Sequence, residues 1–391
     1  MLDQLPPQSP DALLALIKMY AADPRADKID LGVGVYRTDD GATPVFAAIK
    51  AAEAQLVKTQ DSKSYLGPEG DMGFVQALMP YIFGPDAAYL GRVDGMQTPG
   101  GTGAVRLALA VAKKAGVTKV HMGTPSWPNH AQILSDVMLD AVLFDHAAPD
   151  GAIDIDMVLA IIKGAAAGEA VLLHGCCHNP TGIDYSPAQW DAIAAAFADS
   201  AALPILDLAY QGLGTGMDDD AYGVRAVLSA APEGLVAYSC DKNFGMYRDR
   251  VGALYVLAQK SDQLPAIMSN LNALARASWS MPPDHGAAAV RVILEDPAMT
   301  ELWLDELAAM RSRIGSVRGQ MAAAGQIGPL DLTALARQNG LFSTLALTKD
   351  QIAILREDHA VYMAGSGRIN VAGLHSGNIA NFISALKSVA G

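Results

Sequence analysis

Cysteine is scarce in this chain, with three in 391 residues, too few for a disulfide framework. Such scarcity fits a reducing compartment, and the expected location is cytoplasmic. Long apolar runs are missing as well: no stretch reaches the ~18 consecutive apolar residues that read as a membrane-spanning helix. The opening "MLDQLPPQSPDALLALIKMYAADPR" has no basic leader and carries Asp3 early, so a signal peptide is not expected. Positive charge is in deficit, 28 Lys and Arg against 41 Asp and Glu, for a net −13. That balance argues against nucleic acid or an anionic membrane as partner, while leaving room for a local basic pocket. Charged residues make up only 18% and hydrophobic ones 51%, which excludes a disordered chain and allows a large core.

A metal cluster is also lacking. "HGCCHNP" brings His174, Cys176, Cys177 and His178 close in sequence. Adjacent cysteines do not have the C-x-x-C spacing of a zinc site, and no second cluster accompanies them. Small buried residues at the end of a strand are the better reading, and no metal is expected.

The chain is long enough for roughly two domains. "KVHMGTP", "AVLLHGC", "LPILDLAY", "GLVAYSC" and "VGALYVLA" read as strands, and "TGAVRLALAVAKKAG", "PAQWDAIAAAFADS" and "MTELWLDELAAMRSRIGSVRGQMAAAG" as helices. The alternation predicts an α/β domain with a mostly parallel sheet flanked by helices. Its apolar strands suit a sheet covered on both faces. A long charged helix is expected from about residue 305, followed by strand-like "GLFSTLAL" and "GRINVAGL", which together suggest a second, α+β domain.

Sites in such sheets lie beyond the carboxyl ends of the strands. The polar residues closing the apolar runs are Trp127, Asn179, Asp207, Tyr210, Ser239 and Lys242. "QTPGGTGAVRLALAVAKK" is a glycine-rich turn feeding a helix, where Gly100, Gly101 and Thr102 either cradle a phosphate or cap a tight turn. Asp207 closes a strongly apolar run, either as a helix cap or as an anion facing a protonated ring nitrogen. Asn179 before Pro180 favours extended geometry, and its amide can donate to a phenolate oxygen. A lysine amine condenses with aldehydes, and pyridoxal phosphate is an aldehyde bearing a phosphate and a pyridine nitrogen. Lys242, Asp207, the Gly100–Thr102 turn and Asn179 supply what that cofactor needs. Arg250 adds charge for a phosphate, and Arg368 in "GSGRINVAGLH" can fork onto a carboxylate.

Through "IDLGVGVYR", "SYLGPEG", "TPGGTGAVR", "PSWPNH", "HNPTG", "DLAYQG", "DKNFGMYRDRVG" and "GRINVAGL" the chain resembles the class I aminotransferases, in the aspartate and aromatic subgroup. The resemblance runs nearly end to end. It implies the fold type I architecture, with a large cofactor domain over 45–305 and a small domain from 1–44 and 306–391. It implies pyridoxal 5'-phosphate as cofactor and a homodimer with shared active sites. Lys242 would then be the Schiff-base lysine, Asp207 the partner of the ring nitrogen and His130 its support. Tyr210 and Asn179 would bond the phenolic oxygen, and Trp127 would stack on the ring. Gly101, Thr102, Ser239 and Arg250 would hold the phosphate, joined by Tyr65 from the neighbouring subunit. Arg368 would bind the substrate α-carboxylate with Gly34 and Asn179, and Arg276 would cross the dimer to a distal carboxylate. The resemblance also implies that Thr124-Pro125 and Asn179-Pro180 are cis.

Three departures stand out. Asp241 precedes Lys242 where these enzymes usually carry Ser, and a neighbouring anion is expected to favour a charged lysine. Met281 stands where aspartate-specialised members carry Asn, which resembles the aromatic subgroup. Gly100 replaces a hydroxyl found in some members. The implied activity is transamination between aromatic or dicarboxylic amino acids and 2-oxoglutarate. The alternatives are a strict aspartate aminotransferase, a relative doing β-elimination or decarboxylation, and a cofactor-binding regulator. The last would need a DNA-binding module, for which the sequence shows no basic helix.

Overall fold

The computed structural model describes residues 1–5, 7, 12–148 and 151–391. Two compact units emerge, one of residues 44–312 and one of residues 1–43 with 313–391.

Seven strands form the sheet of the larger unit: β1 (Val93–Pro99), β2 (Lys119–Thr124), β3 (Asp140–Asp145), β4 (Glu169–His174), β5 (Leu203–Leu208), β6 (Gly234–Ser239) and β7 (Val251–Leu257). Their order is β1-β7-β6-β5-β4-β2-β3. The neighbours from β3 to β6 run parallel, whereas β7 is antiparallel to both β6 and β1. β6 and β7 are buried at every position, while the edge strand β3 is exposed at all but Phe144. That contrast is what a sheet covered on both faces requires of its centre.

Between the strands run helices α1 (Gly100–Lys114), α2 (Pro128–Asp136) and α3 (Pro187–Ala198). Ser186 and Gln189 form a reciprocal capping box at the start of α3, with Pro187 at its first position. α1 places Ala104, Leu107, Ala108 and Val111 in a core shared with Val120, Leu172, Ile205, Ala237 and Leu254 from the strands. Burying each of the large side chains contributes about 1.5–3 kcal/mol. This packing fixes the carboxyl ends of the parallel strands, from which the loops emerge.

The antiparallel strand has a particular consequence. Because β7 runs against its neighbours, its first residue Val251 pairs with Pro99 at the end of β1, and Gly252 pairs with Ser239 at the end of β6. Arg250, one residue before β7, therefore lies at the same sheet edge as the carboxyl ends of the other strands.

The helical stretch read from Met299 spans Pro297–Ala322, starting before the boundary expected near residue 305 and ending in the smaller unit. Within it the Trp303 indole is fully buried and donates to the Asn243 carbonyl at 2.8 Å. In the smaller unit Ile29–Asp30 pairs in parallel with Val361–Tyr362, and Phe342–Thr344 pairs antiparallel with Arg368–Asn370. A capping box from Thr348 and Gln351 starts the helix Lys349–His359. No helix among the described residues is long and apolar enough to cross a membrane.

Candidate active site

The ends of β1, β2, β4, β5 and β6 place the expected residues of the larger unit along one edge. Asp207 closes β5 and is almost fully buried, its Oδ2 2.9 Å from Nε2 of the fully buried His130. Nδ1 of His130 lies 2.9 Å from Ser126 Oγ, so the imidazole is held at both nitrogens. Burial pushes the Asp207 carboxyl up, but the His130 bond and the charges of His130, His174 and Lys242 pull it lower still, for a net downward shift. The carboxylate stays ionised. The next helix, Met217–Asp220, has Gly216 at its N-cap position and no side-chain cap, so Asp207 does not cap it.

Tyr210 and Asn179 meet beside it, where Asn179 Nδ2 donates to the Tyr210 hydroxyl at 3.4 Å. Asn179 Oδ1 is buried without a hydrogen-bond partner. The Lys242 ammonium nitrogen lies 5.1 Å from the centroid of the Tyr210 ring. Trp127 starts α2 and stands edge-on to His130, ring centroids 5.0 Å apart. Thr124-Pro125 and Asn179-Pro180 are both cis, as the resemblance implied.

At the turn into α1, Gly100 has φ +69°, and Thr98 Oγ1 donates to its carbonyl at 3.0 Å. No side chain caps this helix, so the first amides of α1 offer unused donors at the positive end of its dipole. A Cβ on Gly101 would lie 2.8 Å from that of Ser239, so only glycine lets the turn sit against β6 there. Arg250 completes this edge and forms an ion pair with Asp241.

Asp241 acts on Lys242 in the expected direction, but it is not the dominant influence. Asp241 does favour the charged lysine, as does Asp207, but desolvation outweighs both and the amine's pKa falls below its ordinary value. Burial raises the carboxyl of Asp241 itself, against the charges of Lys242 and Arg250. A lysine that deprotonates more readily is better suited to proton transfer near neutral pH.

Tyr65, Arg276 and Met281 occupy a more open region. Tyr65 is 93% exposed. The neighbouring Leu66 amide donates to Met281 Sδ at 3.1 Å. Arg276, in the last turn of the helix Leu264–Ser278, is exposed and donates to Ser280 Oγ. Gly34 and Arg368 belong to the smaller unit. There Arg368 Nη2 donates to the Gly32 carbonyl at 2.9 Å, with its guanidinium 4.5 Å from the centroid of the Phe342 ring. A Cβ on Gly34 would come within 2.6 Å of that same ring.

Sequence reasoning missed several supports. Asn370 Nδ2 donates to the carbonyls of Val33 and Val35 at 2.6 and 2.7 Å, bracketing Gly34. Asp184 accepts from the Cys177 and His178 amides at 2.9 and 2.8 Å, fixing the turn before Asn179. Cys177 sits there with φ +51°. Behind Asp207, His130 and His174 lie 5.1 Å apart by ring centroid, and His146 stacks on His178 at 3.6 Å. His130, His174 and Asp207 are close enough to hold an ion, as are Cys176, Cys177 and Asp220. The first set is already committed to the Asp207 contact.

The sequence profile of the class I and II aminotransferases matches residues 26–386. The chain belongs to this family. It is 46% identical over 390 residues to a tyrosine aminotransferase of Rhizobium meliloti, covering 100% of both chains. It is 39% identical over 385 residues to an aspartate aminotransferase of Escherichia coli, covering 97% of each. An aromatic-amino-acid aminotransferase of Burkholderia pseudomallei, solved covalently bound to pyridoxal phosphate, superimposes with a TM-score of 0.96 at 32% identity, covering 100% of both chains. The chain is thus an α/β aminotransferase, an enzyme of small-molecule substrates. The residues of the larger unit fit the family's cofactor: an ionised buried carboxylate, a buried amide donor on Asn179 beside the Tyr210 hydroxyl, an uncapped helix start with an arginine, and a lysine of lowered pKa.

Proposed function

We propose that the chain is a homodimeric, pyridoxal-phosphate-dependent aminotransferase that moves amino groups between aromatic or dicarboxylic L-amino acids and 2-oxoglutarate by a ping-pong mechanism. The observation that carries this reading is Lys242, its basicity lowered by desolvation, beside the His130-backed carboxylate of Asp207. The relatives whose names include tyrosine and aspartate support the two substrate classes. The cofactor domain is proposed to span 45–305, with 1–44 and 306–391 forming the small domain, in a cytoplasmic enzyme.

When bound, the cofactor supplies an aldehyde for amines and a ring that withdraws electrons from the carbon bearing the amino group. Lys242 is the proposed attachment point, and its Nζ takes the proton from the substrate α-carbon. Asp207, held by His130, keeps a negative charge against the ring nitrogen, and Tyr210 and Asn179 donate to the ring oxygen. Trp127 gives the ring a flat neighbour. The amides of Gly101 and Thr102, the Ser239 hydroxyl and Arg250 hold the phosphate, with Tyr65 contributed from the other subunit. Arg368 forks onto the substrate α-carboxylate, and Gly34, Asn179 and Trp127 are proposed for substrate binding. Arg276 serves a distal carboxylate in the partner's site, and Met281 offers a soft, apolar surface for an aromatic ring.

The test is the cofactor absorbance followed through each half-reaction. Aspartate and phenylalanine should each bleach the band of the loaded enzyme, and 2-oxoglutarate should restore it. Bleaching by aspartate alone would favour the strict aspartate reading, and no bleaching by either would leave the transaminase reading without support.

A further inference from the structure

Asp241 carries charge where the proposed phosphate-holding residues converge. Its side chain is only 2% exposed, whereas that of its ion-pair partner Arg250 is 41% exposed. Its second carboxylate oxygen accepts from the Val251 amide at 3.1 Å, and its own amide donates to Ser239 Oγ at 3.2 Å. The turn into α1 lies directly on the pair. A Cβ on Gly100 would come within 2.6 Å of Arg250 Nη2 and 2.9 Å of Asp241 Oδ2. Asp241 thus meets the arginine through its carboxylate and the hydroxyl-bearing strand end through its backbone amide, with the glycine turn packed over the ion pair. The charged and titratable groups around it are Lys242 and Cys240 on its own segment and Arg250 before β7. α1 contributes peptide dipoles and the glycine turn.

An incoming phosphate and the Asp241 carboxylate are like charges competing for one guanidinium. In a partly desolvated crevice that repulsion is not screened away. The second anion is therefore resisted in proportion to the charge on Asp241.

We propose that Asp241 is a resident counter-anion of the phosphate cradle, holding Arg250 in an ion pair and weakening the grip on a phosphate-like dianion whenever it is ionised. The inference rests on the phosphate role assigned above to Arg250, Ser239 and the Gly100–Thr102 turn. Dianion affinity should rise as pH falls and Asp241 takes up a proton, and removing its charge should remove that dependence.

Sulfate is the probe, because it stays doubly charged across the range in which inorganic phosphate gains a proton. Calorimetric titration of sulfate into the cofactor-free Lys242→Ala chain, from pH 8 to 5, should show affinity rising toward acid. The same chain carrying Asp241→Asn should bind sulfate about tenfold more tightly at pH 8, with a flatter profile; a tenfold change is about 1.4 kcal/mol. Asp241→Ser, which leaves more space, should behave the same way, and thermal melts establish that each variant is folded. Noncovalent pyridoxal phosphate affinity, read by fluorescence on the same chains, should follow the sulfate order. Equal or weaker sulfate binding in both folded variants, or an unchanged pH slope, would overturn the proposal and leave Asp241 as a brace for Arg250. Sulfate titration requires no covalent cofactor. A wild-type chain that fails to attach pyridoxal phosphate would therefore defeat the functional reading, whereas an unresponsive sulfate affinity defeats this one.

Discussion

Asp207 and His130 lie 77 positions apart in sequence and 2.9 Å apart in space, the carboxylate almost fully buried and the imidazole fully so. The contact joins the end of β5 to α2, and Ser126 closes it from the other side of the ring. A charge that would be costly in isolation is stabilised because its partner is oriented and enclosed.

Lys242 should be the sole site of covalent cofactor attachment. Borohydride reduction followed by peptide mapping is expected to label it. Label on another lysine would be fatal to that assignment. Lys242→Ala should retain the cofactor loosely while turnover falls by several orders of magnitude.

Removing the His130 contact should weaken the ionised form of Asp207. Its carboxyl pKa is depressed in the folded protein, with His130 the leading opponent of burial. A depressed acid contributes stability above its unfolded pKa and loses it as pH falls through the folded one. In His130→Phe the carboxyl pKa rises, so the acid limb of kcat/KM should move to higher pH. An acid limb at the wild-type position would show that His130 does not tune Asp207.

Acid should destabilise the fold from about pH 6.5 downward. Burial lowers the pKa values of His146, His174 and His178, that of His174 to about 3. The unfolded chain binds protons to these rings near pH 6.5, while the folded one resists them until lower pH, so stability is present above that value and lost below it. Each ring contributes a slope of about 1.4 kcal/mol per pH unit once its unfolded form is protonated. Urea midpoints between pH 7.5 and 5 measure this, and His178→Phe should flatten the slope.

Arg276→Ala should separate the substrate classes. Losing one partner of a desolvated ion pair costs about 2–5 kcal/mol, or roughly 30-fold to a few thousand-fold in kcat/KM. Aspartate and 2-oxoglutarate should suffer that loss, while the phenylalanine half-reaction, measured alone, stays within a few-fold. Equal losses would deny Arg276 its role. Mixing Lys242→Ala with Arg276→Ala subunits should restore some dicarboxylate activity if sites are shared.

Gly34→Ala should raise KM for amino acids. The added carbon would meet the Phe342 ring at 2.6 Å, and that ring packs against Arg368. A displaced ring disturbs the arginine. Melting temperature and KM measured together distinguish this from unfolding, and an unchanged KM in the folded variant would count against the proposed carboxylate role.

The strands could be read from sequence because a sheet covered on both faces demands continuous apolar runs, and "LPILDL" and "GLVAYS" are such runs. Their polar ends marked Asp207 and Ser239 for the same reason. Less of the support was legible. Asn370 bracketing Gly34 depends on a contact across more than 330 residues, and no local pattern announces it. Asp184 takes its place through the Cys177 and His178 amides, a contact that no spacing in the sequence marks.

By itself the sequence determined the α/β alternation, the membership of the aminotransferase family and the identities of the candidate residues, because periodicity and ordered motifs are local properties of the chain. Tertiary structure alone decided which electrostatic effect prevails. Asp241 stands beside Lys242 in sequence, yet its carboxylate is paired with Arg250, brought to it by the reversed direction of β7. The lysine's basicity falls because desolvation, which depends on everything packed around the amine, exceeds the attraction of its neighbour.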